Sequence, residues 1–141
     1  MKKVLIVIAF VGMITGLLYA QSPNCWKLIF NNKTLIAGNL QEHKSVALPS
    51  HKKGNLKLVF TAELHPAEVN RSFLFMDQNR KELFRVATIH NKNYALVSID
   101  TLKKKTGSMP FNIYTIAIPT DSMVAMTIRV KPILLTSVSW Q

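Results

Sequence analysis

Along most of this chain hydrophobic residues recur at every second position in short runs, which turn residues interrupt at intervals of roughly eight to twelve. That spacing predicts short β-strands, because side chains alternate faces along a strand and no segment keeps a helical period over three turns. Residues 26–30 form the first run, Asn31-Asn32 supplies a turn, and 34–37 returns before Gly38-Asn39, which predicts a hairpin. Residues 45–48 make a short strand ended by Pro49, and 50–54 is a basic polar loop. The clearest alternation is 56–62, with Leu56, Leu58, Phe60 and Ala62 on one face and Lys57, Val59 and Thr61 on the other.

A second hairpin is expected where 72–76 and 82–88 flank the polar stretch Asp77-Gln78-Asn79-Arg80-Lys81. Residues 94–99 are a further strand. The stretch 100–108, with Lys103-Lys104-Lys105 and Gly107, reads as an exposed crossover between sheets with room for one helical turn. Residues 112–118 follow and Pro119 stops them. Segments 124–130 and 133–140 read as the last two strands, or as one long strand bent at Pro132 that switches sheets. The expected fold is all-β, a single antiparallel β-sandwich of roughly eight or nine short strands, immunoglobulin-like or a similar Greek key, spanning 21–141. An eight-stranded outer-membrane barrel is the competing architecture, but its strands need about nine to eleven residues and most runs here are shorter.

The first twenty residues break the alternation. Lys2 and Lys3 precede a nearly unbroken apolar run from Val4 to Leu18, and Leu18-Tyr19-Ala20 offers a cleavage point before Gln21. This predicts a signal peptide over 1–20 and a location outside the cytoplasm, periplasmic or secreted. The run is shorter than the roughly 20 residues of a bilayer-spanning helix, so the processed chain is not expected to span a membrane. Cys25, the only cysteine, lies beyond the position a lipoprotein would require, and it excludes an intramolecular disulfide. Stability must then come from the core.

Composition sharpens the choice of partners. The formal charge of +11 falls to +9 when Lys2 and Lys3 are removed, over the 121 residues that remain. Such a field favours an acidic glycan, a phosphate-bearing glycolipid or an acidic envelope protein, and export makes nucleic acid an unexpected target. The basic groups lie in predicted loops: Lys52 and Lys53 beside His51, Arg80 and Lys81, and Lys103, Lys104 and Lys105. Gathered at one end of a sandwich they would form an anion-attracting rim, and scattered they would be solvated loop ends.

Catalytic and metal chemistry find little support. Cys25 lacks the nearby histidine and methionine of a blue-copper site, and Gln21 rather than histidine begins the processed chain. Met76, Met109, Met123 and Met126 with His65 or His90 would make a softer site, but scattered methionines read as core filler. There is no Gly-x-Ser-x-Gly elbow. Glu42, Glu63, Glu68, Glu82, Asp100 and Asp121 fall near turns or strand ends, and His43, His51, His65 and His90 in or beside loops, where solvation is the ordinary role. No cofactor or metal is expected. Asn32-Lys33-Thr34 and Asn70-Arg71-Ser72 match a glycosylation sequon, relevant only in a eukaryotic host.

The stretch Ile113-Tyr114-Thr115-Ile116-Ala117-Ile118-Pro119-Thr120-Asp121, continuing through Ala125-Met126-Thr127-Ile128-Arg129-Val130, resembles uncharacterised small exported β-sandwich proteins of the Bacteroidota. The likeness covers the last third of the chain. It implies a short secreted or periplasmic domain and carries over no functional residue. The expected function is therefore a non-enzymatic exported β-sandwich that binds or assembles at the cell envelope through its loops or a sheet edge, with a small envelope-carbohydrate hydrolase or lyase as the alternative.

Overall fold

Nine strands alternate between two sheets in the computed structural model, which describes residues 25–61 and 68–141. They are β1 (Trp26–Phe30), β2 (Lys33–Gly38), β3 (Lys44–Leu48), β4 (Asn55–Phe60), β5 (Val69–Met76), β6 (Glu82–Ala87), β7 (Tyr94–Ser98), β8 (Phe111–Pro119) and β9 (Ile133–Trp140). One sheet has the order β2-β1-β4-β7 and the other β3-β9-β8-β5-β6. The leader expected over 1–20 and its cleavage before Gln21 lie outside the described residues.

A single core joins the two sheets into a sandwich-like, all-β arrangement. Trp26, Leu28 and Phe30 of β1 and Leu56, Leu58 and Phe60 of β4 face inward with Ala95 and Val97 of β7. Opposite them stand Phe73, Phe75, Phe111, Ile113, Leu135 and Val138 of the second sheet. An aromatic row crosses that sheet: Phe84 stacks on Phe75 at 4.3 Å, Phe75 meets Phe111 at 5.8 Å, and Phe111 meets Trp140 at 6.0 Å. Each ring sits on a different strand, so the row ties four strands together through offset contacts.

Both expected hairpins form, for local reasons. Asn31 and Asn32 take positive φ of 46° and 66°, the geometry whose twist matches a two-residue β-hairpin and which asparagine tolerates best after glycine. In the second hairpin Asp77 accepts from the backbone N–H groups of Asn79 and Lys81, while Arg80 takes φ 63°. Gly38 is required by a close approach. A Cβ there would lie 2.8 Å from Cζ2 of Trp26, a ring that is 1% exposed and anchored by its Nε1 donating to the Asn39 carbonyl at 3.1 Å.

Three expectations are corrected. The sandwich is not wholly antiparallel, because β3 pairs with β9 in parallel, Lys44 opposite Thr136 through Leu48 opposite Trp140. Nothing local opposes this, since parallel strands need only a long crossover and most of the chain runs between these two. Residues 124–130 are not a strand. Asp121 accepts from the N–H groups of Met123 and Val124 and caps a short helix, α2 (Ser122–Thr127), the second of the two described helices. The stretch expected as a loop with one turn is a full helix, α1 (Ile99–Thr106), capped by the Ser98 side chain and ended by Gly107 at φ 63°. Ile99, Leu102 and Thr106 are buried on its inner stripe.

Gly38→Ala is expected to lose about 1–3 kcal/mol in urea denaturation, because the buried Trp26 ring, held by its bond to Asn39, would have to shift to admit the Cβ. An unchanged midpoint would show that the ring gives way at no cost.

Candidate anion-binding end of the sandwich

Register decides which connections share an end. Phe30 of β1 lies opposite Leu56 of β4, and Asn55 opposite Ser98 of β7, so the β1–β2 turn, the start of β4 and the end of β7 coincide. In the second sheet Leu48 lies opposite Trp140, Phe111 opposite Val138 and Met76 opposite Asn112. The short 49–54 connection from β3 to β4 and the helix α1 from β7 to β8 join these ends of the two sheets. The β5–β6 turn belongs to the same end.

Hydrogen bonds hold these segments against one another. The Nζ of Lys103 donates to the Ser50 carbonyl at 2.6 Å, tying α1 to the 49–54 connection. The side-chain amide of Asn31 donates to the Lys53 carbonyl at 3.2 Å, and the Ile99 N–H to the Gly54 carbonyl at 2.9 Å. The Ser50 N–H and hydroxyl both donate to the Gln141 carbonyl. On its other side α1 touches β6, next to the turn that carries Arg80 and Lys81.

The sequence-identified cations therefore gather at one end rather than scatter. Lys52 and Lys53 lie on the 49–54 connection, Arg80 and Lys81 on the β5–β6 turn, and Lys103, Lys104 and Lys105 on the last turn of α1. All but Lys103, which is partly buried, are exposed. Lysines in the last turn also face the negative end of the helix dipole, which favours them there. Lys33, just after the Asn31-Asn32 turn, joins the group and was not singled out in the sequence, because only the pairing of β1 with β4 brings it here.

Acidic groups at this end are few. Asp77 accepts within its turn, and Asp100 lies in the first turn of α1. Glu82 binds Arg85 through two hydrogen bonds of 2.8 Å each. The hydrogen bond from Arg85, aided by its charge and opposed by slight burial, holds the Glu82 carboxyl below its ordinary value, and the same bond holds the Arg85 guanidinium above its own. Among the described residues, Lys52, Lys53, Arg80, Lys81, Lys104 and Lys105 make no ion pair. Their charge is therefore available to a mobile anion.

A recess of about 250 Å³ adjoins this end, lined by Ile29, Asn31, Asn32, Asn55, Lys57 and Leu96. Its lining sets three asparagines and Lys57 beside the aliphatic Ile29 and Leu96. Sequence spacing could not reveal it, since its amides come from a turn and a strand start that only register brings together. The Lys57 ammonium also sits 4.0 Å from the centre of the Tyr94 ring.

Other candidate groups lie elsewhere. Arg71 stacks on Phe60 at 3.6 Å and donates to the Thr115 hydroxyl at 2.8 Å. Cys25 is half-buried against the core. His51 is exposed at the basic end, His43 and His90 at the other, and His65 lies outside the described residues. Met109, Met123 and Met126 are exposed, which corrects their reading as core filler. Among the described residues no three metal-ligating side chains cluster, and no helix is long and apolar enough to cross a membrane. No known protein family, curated protein or solved structure matches the chain.

The Glu82–Arg85 pair gives a signed pH dependence. A carboxyl held low in the folded state adds stability above its unfolded value, and that increment is lost as pH falls through the folded one. The pair is solvated, so the increment is discounted to a few tenths of a kcal/mol. Glu82→Gln should remove it at neutral pH and flatten the acid limb of a stability profile by that amount. A larger change would show that Glu82 does more than hold Arg85.

Proposed function

We propose that this chain is an exported, non-enzymatic β-sandwich that binds an anionic glycan at the cell envelope, as free polysaccharide or as the headgroup of a glycolipid, through its basic end. One observation carries the reading: three separate basic segments, joined by Lys33, converge on one end of the fold, and among the described residues Lys52, Lys53, Arg80, Lys81, Lys104 and Lys105 make no ion pair. Loops on a rigid scaffold are well placed for recognition, and clustered charge of one sign raises the local concentration of an opposite partner. The neighbouring recess suits a sugar ring, offering amide groups for hydroxyls and an aliphatic floor for a C–H face. Export rests on the Lys2-Lys3 start, the apolar run and the Ala20-Gln21 junction, and N-terminal sequencing of the exported chain is expected to begin at Gln21.

No observation favours the hydrolase or lyase. Of the described carboxylates at the basic end, Asp77 accepts within its turn, Asp100 lies in the first turn of α1 and Glu82 binds Arg85.

Heparin, as a model acidic glycan, should bind at low salt while neutral dextran does not, and affinity should fall as salt shortens the screening length. The variant K52E/K53E/K104E/K105E leaves the Lys103 contact with Ser50 in place. Four screened contacts at a few tenths of a kcal/mol each make about 1.4 kcal/mol, so the variant should bind roughly tenfold more weakly with a shallower salt dependence. Equal binding by parent and variant would sink the basic end as the site.

A further inference from the structure

The end of the sandwich opposite the basic one carries an unusual surface. The connection between β8 and β9 exposes Met123 at 69%, Val124, Met126 at 77% and Ile128, and the flanking strand residues Ile118 and Ile133 are exposed as well. Helix α2 buries no residue at all, so its apolar side chains are not held against the core. The neighbouring 88–92 segment, which meets Thr120 across a small recess, adds an exposed Ile89. A monomeric domain with ample lysine has no need to concentrate large apolar side chains at one tip.

Charge tells what the tip fits. Arg129 and Lys131 follow the apolar residues directly, with Lys92 on the adjacent segment. The sole carboxylate between residues 119 and 132 is Asp121, whose Oδ1 accepts from the N–H groups of Met123 and Val124, while Glu68 adjoins the segment where the Thr120 N–H donates to its backbone carbonyl. Apolar side chains in front of a basic collar match the acyl layer and the anionic headgroups of a lipid surface. Flexible methionines on a projecting helix also suit a fluid layer better than a shaped protein pocket.

We infer that α2 and the 128–131 segment form a peripheral membrane-docking tip, in which Met123, Val124, Met126 and Ile128 enter the headgroup and acyl boundary of an anionic bilayer while Arg129 and Lys131 contact its phosphates. The inference does not rest on glycan binding at the other end.

A reporter placed in the tip tests it locally, whatever else in the full chain meets the vesicle. The variant M126W is mixed with vesicles of equal phosphatidylcholine and phosphatidylglycerol, with and without brominated acyl chains, and the parent chain supplies the Trp26 and Trp140 background. The added emission should shift to the blue and be quenched by the brominated lipid, and R129E/K131E in the same background should weaken the response several-fold. Vesicle binding that leaves the added emission unchanged would overturn the inference, as would no binding, or a shift that appears without lipid as protein concentration rises and so marks a second copy as the occupant. M123W serves as a second reporter if M126W fails to melt like the parent.

Discussion

The parallel pairing of β3 with β9 is the constraint on which the arrangement of the basic end depends. It brings the last strand back beside the third, so that the Gln141 N–H donates to the Leu48 carbonyl at 2.9 Å and the Ser50 N–H to the Gln141 carbonyl at 2.9 Å. The Thr136 hydroxyl donates to the Lys44 carbonyl at 2.7 Å at the other limit of the pair. Both margins of β3 are then fixed, and the short connection that follows it has little freedom. Lys103 reaches the Ser50 carbonyl because that carbonyl is held where α1 passes. Without this pairing β9 would be the bare edge of the sheet, and β3, with the connection that carries Lys52 and Lys53, would lose its hold on the second sheet.

A core without covalent bracing must carry the stability, and its composition shows how. Cys25 is the lone cysteine, so burial of aromatic and aliphatic side chains from both sheets stands where a disulfide would in many small exported domains. Each fully buried large side chain contributes about 1.5–3 kcal/mol relative to exposure, most of it offset by chain entropy. Helix α1 belongs to this core as much as to the charged end. Ile99 and Leu102 are wholly buried, while Lys104 and Lys105 on its far side are exposed. The same element therefore seals the core and presents charge.

Features specified by neighbouring residues were legible in the sequence, and features specified by distant pairing were not. The two hairpins could be read because Asn31-Asn32 and Asp77 to Lys81 encode their turns locally, and the alternation of Leu56, Leu58 and Phe60 matched their burial. The parallel β3–β9 pair joins residues far apart in the chain and leaves no local mark. Segment 124–130 misled because Val124, Met126 and Ile128 alternate like a strand, whereas the deciding signal was Asp121 as a cap before helix-favouring Ala125 and Met126. Serine and glycine at 98 and 107 were the corresponding signals for α1, and its buried stripe is too short to show a period over three turns. The basic clusters themselves were visible; their convergence depended on register. The recess beside them was invisible for the same reason.

The fold separates a basic end from an apolar one, and the separation has an electrostatic consequence. Strand β8 runs from α1 to α2 over nine residues, which at about 3.3 Å per residue spans about 30 Å. Ionic screening at physiological salt acts over about 8 Å, so the field of Lys52, Lys104 and their neighbours is spent well before it reaches α2. Any attraction of the apolar tip to an anionic surface must then be local, and Arg129 and Lys131 are where it would have to come from. The two ends can in this way engage different surfaces without competing, since neither supplies charge to the other. A chain that met only one partner through its net charge would gain nothing from exposing Met123, Met126 and Ile128 on the far side of the core from Lys52, Lys104 and Lys105.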